Sequence, residues 1–181
     1  MDVDIQTLTE AVDRLADAGP LVPADPESME SLMCLRARLD AIVTEAGASF
    51  DASGDWAPDG AKSAAAGLSR RCRVPVGQAR TLIRRGRVLS HLPGFARAWS
   101  KGSINAAHID AVVALRNPST EEALARDEQV LCDQAASLPF DRFTQALSYW
   151  HQFAYPDGIE EGHEKRLASR DVYLEKSFDG M

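Results

Sequence analysis

An all-α fold is what this sequence predicts, and three observations carry the prediction. Apolar residues recur at steps of three and four along nearly the whole chain, the period of one helix face. Helix starts are well marked: Asp25-Pro26, Asn105 and Ser119-x-x-Glu122 each place a capping side chain ahead of a periodic run. Period-two alternation is confined to one stretch near the end, RDVYLEKSFDG over 170–180.

The elements follow in order. Ile5, Leu8, Val12 and Leu15 predict an amphipathic helix that closes at Gly19-Pro20, and residues 1–24 are read as that helix with its linker. Asp25 as N-cap and Pro26 at the first helical position open a long second helix. Within it Leu32, Leu35, Leu39, Ile42 and Ala46 step by 3, 4, 3 and 4. This short heptad suits either a core face, the commoner origin of so brief a pattern, or a homodimer seam. The segment FDASGDWAPDG breaks the helix. Its Asp51, Asp55 and Asp59 do not make a calcium loop, because the spacing is wrong and Lys62 stands where the twelfth-position glutamate belongs.

Asp59-Gly60 is read as the start of the next helix, AKSAAAGLSRRC, ending near Arg73-Val74-Pro75. Another follows at once from Pro75 to about Ser90, and Pro93 opens a short one ending at Lys101-Gly102. Asn105 caps the next, with Ile104 and Ile109 as a hydrophobic staple, and it runs through His108, Val112, Val113 and Leu115 to Asn117-Pro118. The Ser119/Glu122 capping box starts a helix that reaches Leu138-Pro139. A last, aromatic helix holds Phe140, Phe143, Leu147, Tyr149, Trp150 and Phe153 and stops at Tyr155-Pro156-Asp157-Gly158. Its aromatics, at helical spacing, are read as core rather than as base-stacking platforms. Residues 25–158 are therefore read as the helical domain, and 159–181 as a charged linker and the first strand of a region that continues past this chain, since a lone strand needs a partner.

Several function classes are excluded or unsupported. The acidic, amphipathic N-terminus is not a secretory or transit signal, and no apolar run is long enough to span a bilayer. Cys34, Cys72 and Cys132 are far apart, as expected of reduced thiols in a cytoplasmic protein. No glycine-rich phosphate loop is present. His91, His108, His151 and His163 are scattered singly, with His108 read as a helix-packing residue and His163 as solvated; Glu160, Glu161 and Glu164 read as a solvated linker. No catalytic residue, metal site or cofactor is expected.

Charge is where the composition speaks. The chain is acidic, at net −7, yet residues 61–109 hold ten Lys or Arg and no Asp or Glu. At the chain's average, 27 carboxylates in 181 residues, that stretch should hold about seven. A basic block of this kind points first to a polyanion. On the helix after Pro75, at 100° per residue, Arg80, Arg84 and Arg87 form one stripe, opposite an apolar seat of Ala79, Leu82, Gly86 and Leu89. Solvated helices ordinarily mix signs, so the ridge is expected to find its counter-charge outside the chain. With Arg70-Arg71 ending the preceding helix and a short turn between the two, the layout is that of a helix-turn-helix. In that geometry Gln78, Arg80, Thr81 and Arg84 would face base edges of duplex DNA. Lys62, Arg70, Arg71, Arg73, Arg85, Arg87 and Lys101 would neutralise phosphates. The alternatives are a solvated basic face on a structural helix, a dock for the chain's own acidic segments or for an acidic protein partner, or a helical oligomerisation or protein-docking module. A further one is action on single-stranded or damaged DNA by the whole protein.

Two resemblances bear on this. The stretch RVPVGQARTLIRRGRVLSHLPGFARAWSKGSINAAHIDAVVAL resembles the helix-turn-helix core of ParB-type partition proteins, over about 45 residues. More broadly, LRARLD over 35–40, FDASGDW over 50–56, DGAKS over 59–63, Ala79-Arg80, Leu92-Pro93, Ala106-Ala107-His108, Asp157-Gly158 and Asp179-Gly180-Met181 resemble, in order, the actinobacterial 13E12-repeat family. Gly67 departs from that pattern, which has a tryptophan before the leucine. The resemblance implies a helical domain of unknown function placed ahead of an HNH endonuclease domain in a mobile-element-related protein. The expectation is thus a DNA-targeting or regulatory region that is not itself an enzyme.

Overall fold

The computed structural model describes residues 2–19 and 25–154. Among these residues there are eight α-helices and no strand: α1 Asp2–Ala18, α2 Pro26–Ser53, α3 Ala64–Cys72, α4 Val76–Leu89, α5 Pro93–Ser100, α6 Ala106–Leu115, α7 Glu121–Ser137 and α8 Phe140–Ala154. The fold is all-α. The strand expected over 170–180 lies outside the described residues.

Local chemistry explains most boundaries. Asp25 caps α2 by accepting from Ser28 N at 2.8 Å, which holds its carboxyl below the ordinary carboxylate pKa. Gly54, in the left-handed region at φ 75°, ends the helix. α2 therefore runs four residues into the segment expected to break it. α3 also starts later than expected, because Ser63, not Asp59-Gly60, is its N-cap: Ser63 Oγ accepts from Ala66 N. At α7 the N-cap is Thr120, whose hydroxyl turns inward to donate to Leu115 O at 2.7 Å, so the Ser119/Glu122 box does not form. Glu128 on α7 does an unexpected job, its Oε1 accepting from Gly94 N and Phe95 N to cap α5 from a neighbouring helix.

Two cores result. The larger joins Phe95 and Trp99 of α5 to Val88 at the end of α4, Ile109, Val112 and Val113 of α6, Leu124 and Leu131 of α7, and Phe143 and Leu147 of α8. His108 is buried there, edge-on to Phe140 with ring centres 5.1 Å apart and close to Phe143, and burial pushes its pKa below the ordinary value. The smaller core holds Ala64, Ala65, Ala79 and Ile83, with Phe50, Trp56, Leu68, Val74 and Leu82 packed around it. Gly67 sits in this second core: a Cβ there would lie 3.0 Å from Trp56 Cβ and 3.7 Å from Phe50 Cζ, so the indole that fills this region comes from residue 56. The aromatic helix divides: Phe143 is fully buried, whereas Tyr149 and Phe153 are exposed rather than core.

α2 is the spine. Gly86 of α4 approaches it so closely that a Cβ would stand 2.6 Å from Ala48 Cβ and 3.1 Å from Thr44 O. Its other side corrects the reading of the heptad as a core face: Leu35, Leu39 and Ile42 are exposed. The residues α2 buries are the small ones half a turn away, Ala37, Thr44 and Gly47.

Candidate nucleic-acid interface

Three residues, Arg73-Val74-Pro75, join α3 to α4. Arg73 takes the left-handed conformation at φ 56°, the non-glycine exception among the described residues. Ser69 Oγ pins the turn by donating to Val74 O at 2.7 Å. The tightly joined helix pair expected from the sequence is present, with Ala79, Ile83 and Gly86 as the buried side of α4.

On α4, Arg80, Arg84 and Gln78 are exposed and Thr81 is half-buried; at about 100° per residue Arg80, Arg84 and Thr81 share one arc, while Gln78 in the first turn stands roughly 160° from Arg80. Arg80 and Arg84 form no ion pair among the described residues; neither do Lys62, Arg70, Arg73 and Lys101. Arg80 and Arg84 line a cavity of about 250 Å³ together with Arg87, Ile83, Asp51 and the first turn of α3, Ser63 to Ala65. That turn contains no acidic residue. The backbone N–H groups of a helix's first turn have no intrahelical partners, so its partial positive charge adds to the guanidinium pair.

The rest of the basic block differs from expectation. The ridge is expected to lack an internal counter-charge, but one of its three arginines, Arg87, has one, and so do Arg71 and Arg85 elsewhere in the block. Arg87 grips Asp51 with two hydrogen bonds, Nε to Oδ2 at 2.7 Å and Nη2 to Oδ1 at 2.8 Å. Arg85 grips Asp110 of α6 in the same way at 2.7 and 2.6 Å, with its side chain only 19% exposed. Arg71 pairs with Asp59, whose backbone carbonyl also accepts from Arg70 at 2.8 Å. Asp59 is the last carboxylate before the basic block and Asp110 the first after it. The block's borders fold back on its middle.

Lys101 is set apart. Its carbonyl faces Cys34 Sγ at 3.8 Å near the start of α2, whereas the cavity meets α2 at Asp51. At 1.5 Å per residue those two positions on α2 are about 25 Å apart. The cavity brings together Arg80, Arg84 and Arg87; Arg71, Arg85 and Arg87 are engaged internally, Arg70 reaches the Asp59 carbonyl, Lys62 precedes the N-cap of α3, Arg73 follows the opposite end of that helix, and Lys101 lies elsewhere. The carboxylate partners were missed because no local spacing signals a pairing made across 12 to 36 residues.

Among the described residues, no three His, Cys, Asp or Glu side chains cluster as metal ligands do, and no helix is long and apolar enough to cross a membrane. Chemically, the site offers an exposed, cationic face on a helix pair, suited to holding an anion.

The molecule is an all-α domain with a cation-bearing helix pair docked on a long spine. Residues 27–181 match the family described as "Domain of unknown function (DUF222)", and the chain belongs to it. No curated protein matches the chain, and no solved structure does.

Proposed function

We propose that this chain is a DNA-binding region that engages duplex DNA through the outward face of α3 and α4, with Arg80 and Arg84 at its centre. The observation that carries the reading is that both arginines are exposed and line one cavity with the first turn of α3, with no carboxylate ion-pair partner among the described residues. Two positive charges held together on a surface cost free energy that an arriving phosphate repays. Thr81 beside them and Gln78 in the exposed first turn of α4 supply groups that read base edges. Lys62 precedes the cavity's Ser63, and Arg73 stands in the turn between the two helices.

The role proposed is targeting or regulation rather than chemistry, in the cytoplasm, as part of an HNH-associated protein of the 13E12-repeat type. A second reading, a protein-docking module, is favoured by one observation: the exposed aliphatic row on α2.

The test is fluorescence anisotropy of the chain with random-sequence duplex across a salt series. About four or five free cations at the α3–α4 face correspond to a slope of log K against log[salt] of roughly −3 to −5. Stronger competition by single strand than by duplex would redirect the reading to single-stranded DNA. No binding at low salt would sink the DNA reading and leave protein docking.

A further inference from the structure

α2 is apolar on two opposite sides. One side is built of small residues, Ala37, Ala41, Thr44, Gly47 and Ala48, buried or half-buried against the domain. The other carries Leu35, Leu39 and Ile42, which are 41% to 61% exposed, continued by Leu32 and Ala46. α1 has a matching problem: Ile5, Leu8, Val12 and Leu15 form one side, and each is at least 45% exposed. Single exposed leucines are ordinary, but rows running the length of a helix mark contact surfaces. A 17-residue helix without a partner is also marginal in water.

The two rows are complementary in register. Set antiparallel, Leu15 falls opposite Leu32, Val12 opposite Leu35, Leu8 opposite Leu39 and Ile5 opposite Ile42 in a single alignment, because both rows step by the same intervals. In heptad terms every layer sets an a position against a d position, as in antiparallel coiled coils. The connection allows it: seven residues, 19–25, separate the helices, within the range that joins antiparallel neighbours.

We propose that the outward face of α2 is a docking surface whose occupant is α1 of the same chain, the two closing as an αα-hairpin. A second copy's α2 fits less well. Aligned with Leu35 against the second copy's Leu39, it brings Arg38 to Arg38; the alignment that gives Arg38 a glutamate, Glu45, sets Leu35 against Ala46 and Leu32 against Ser49. Both partners fill four layers with large aliphatic residues, but α1 sets Ala11 rather than a second arginine beside Arg38, and a short tether raises its local concentration to about the millimolar range. This inference stands independently of DNA binding.

Amide hydrogen exchange on the full chain tests it, with Leu39→Asp on α2 and Leu8→Asp on α1 as variants. The expected result is that α1 exchanges at least about tenfold more slowly than an unstructured chain, independently of protein concentration. Either variant should abolish that protection while leaving α5 to α8 unchanged. An unprotected α1 in the parent chain, or protection in α1 that survives Leu39→Asp, overturns the proposal. So does protection that grows with protein concentration alongside a sedimenting dimer, which would give the surface to a second copy. Should Leu39→Asp fail to fold, Ile42→Glu at the most exposed layer serves the same purpose.

Discussion

Arg87 of α4 and Asp51 of α2 face each other as a two-pronged ion pair. The pairing raises the pKa of the arginine. Asp51 is largely covered and Arg87 largely exposed, so the carboxylate is anchored and the guanidinium is the member that could change partners. Because both line the cavity with Arg80 and Arg84, Asp51 would compete with the phosphate of the proposed interface.

Asp51→Asn is therefore expected to strengthen binding to random duplex by roughly three- to tenfold and to steepen the salt slope by about 0.9, the contribution of one more phosphate contact. Stability should fall by about 1 kcal/mol, because the exposed guanidinium leaves the pair open to solvent on one side. Anisotropy and urea unfolding measure the two effects separately, and an unchanged slope would remove Arg87 from the proposed surface.

Arg80 and Arg85 are five residues apart on one helix and should behave in opposite ways. Replacing Arg80 and Arg84 together by alanine should flatten the salt slope by about 1.8 while the melting temperature stays put. Arg85→Ala breaks a part-buried fork to Asp110 and should cost about 1–3 kcal/mol. If the double variant binds duplex as the parent does, the assignment of α4 as the reading helix is wrong.

Gly86→Ala should destabilise the domain although alanine is the better helix former by about 1 kcal/mol. The new methyl meets Ala48 and the Thr44 carbonyl, neither a flexible tip, so α4 must lift from α2. Overpacking of this kind costs about 1–3 kcal/mol, and a melting temperature lowered by several degrees is the expected readout. A rise would mean that the two helices separate freely.

His108 sets a pH dependence. Burial lowers its pKa in the folded chain, so the unfolded chain takes up the proton more readily. Stability is then fully present above the ordinary histidine value of about 6.5 and falls as pH drops from there toward the depressed folded value. Urea midpoints at pH 7.5 and pH 5.5 should differ more in the parent than in His108→Gln, which cannot titrate. Equal pH dependence in both chains would locate the sensitivity elsewhere.

How far the sequence could be read follows from the range of the interactions involved. Asp25, Asn105 and Pro93 sit at real helix starts because capping is decided within three or four residues. The same logic misplaced the start of α3, since Asp59 is drawn away by Arg70 and Arg71, eleven and twelve residues on. The apolar seat of α4 was legible from period alone, but the partners of Arg85 and Arg87 were not, because charge counting by blocks cannot show which carboxylates fold back across a block's border. On α2 the heptad was plain, yet its large residues turned outward. Small residues let the helices on the inner side come close, and periodicity does not say which of two apolar faces is the inner one.

The division of the interior into two cores has a consequence of its own. α3 and the first half of α4 rest on a cluster of alanines and Ile83 bordered by Trp56 and Phe50, separate from the large aromatic core of α5 to α8. Substitutions on the α3–α4 face can therefore accumulate without disturbing the packing of Phe95, Trp99 and Phe143. The outward chemistry of the basic unit and the packing of the aromatic core thus rest on different residues, joined through Val88 and the Arg85–Asp110 pair.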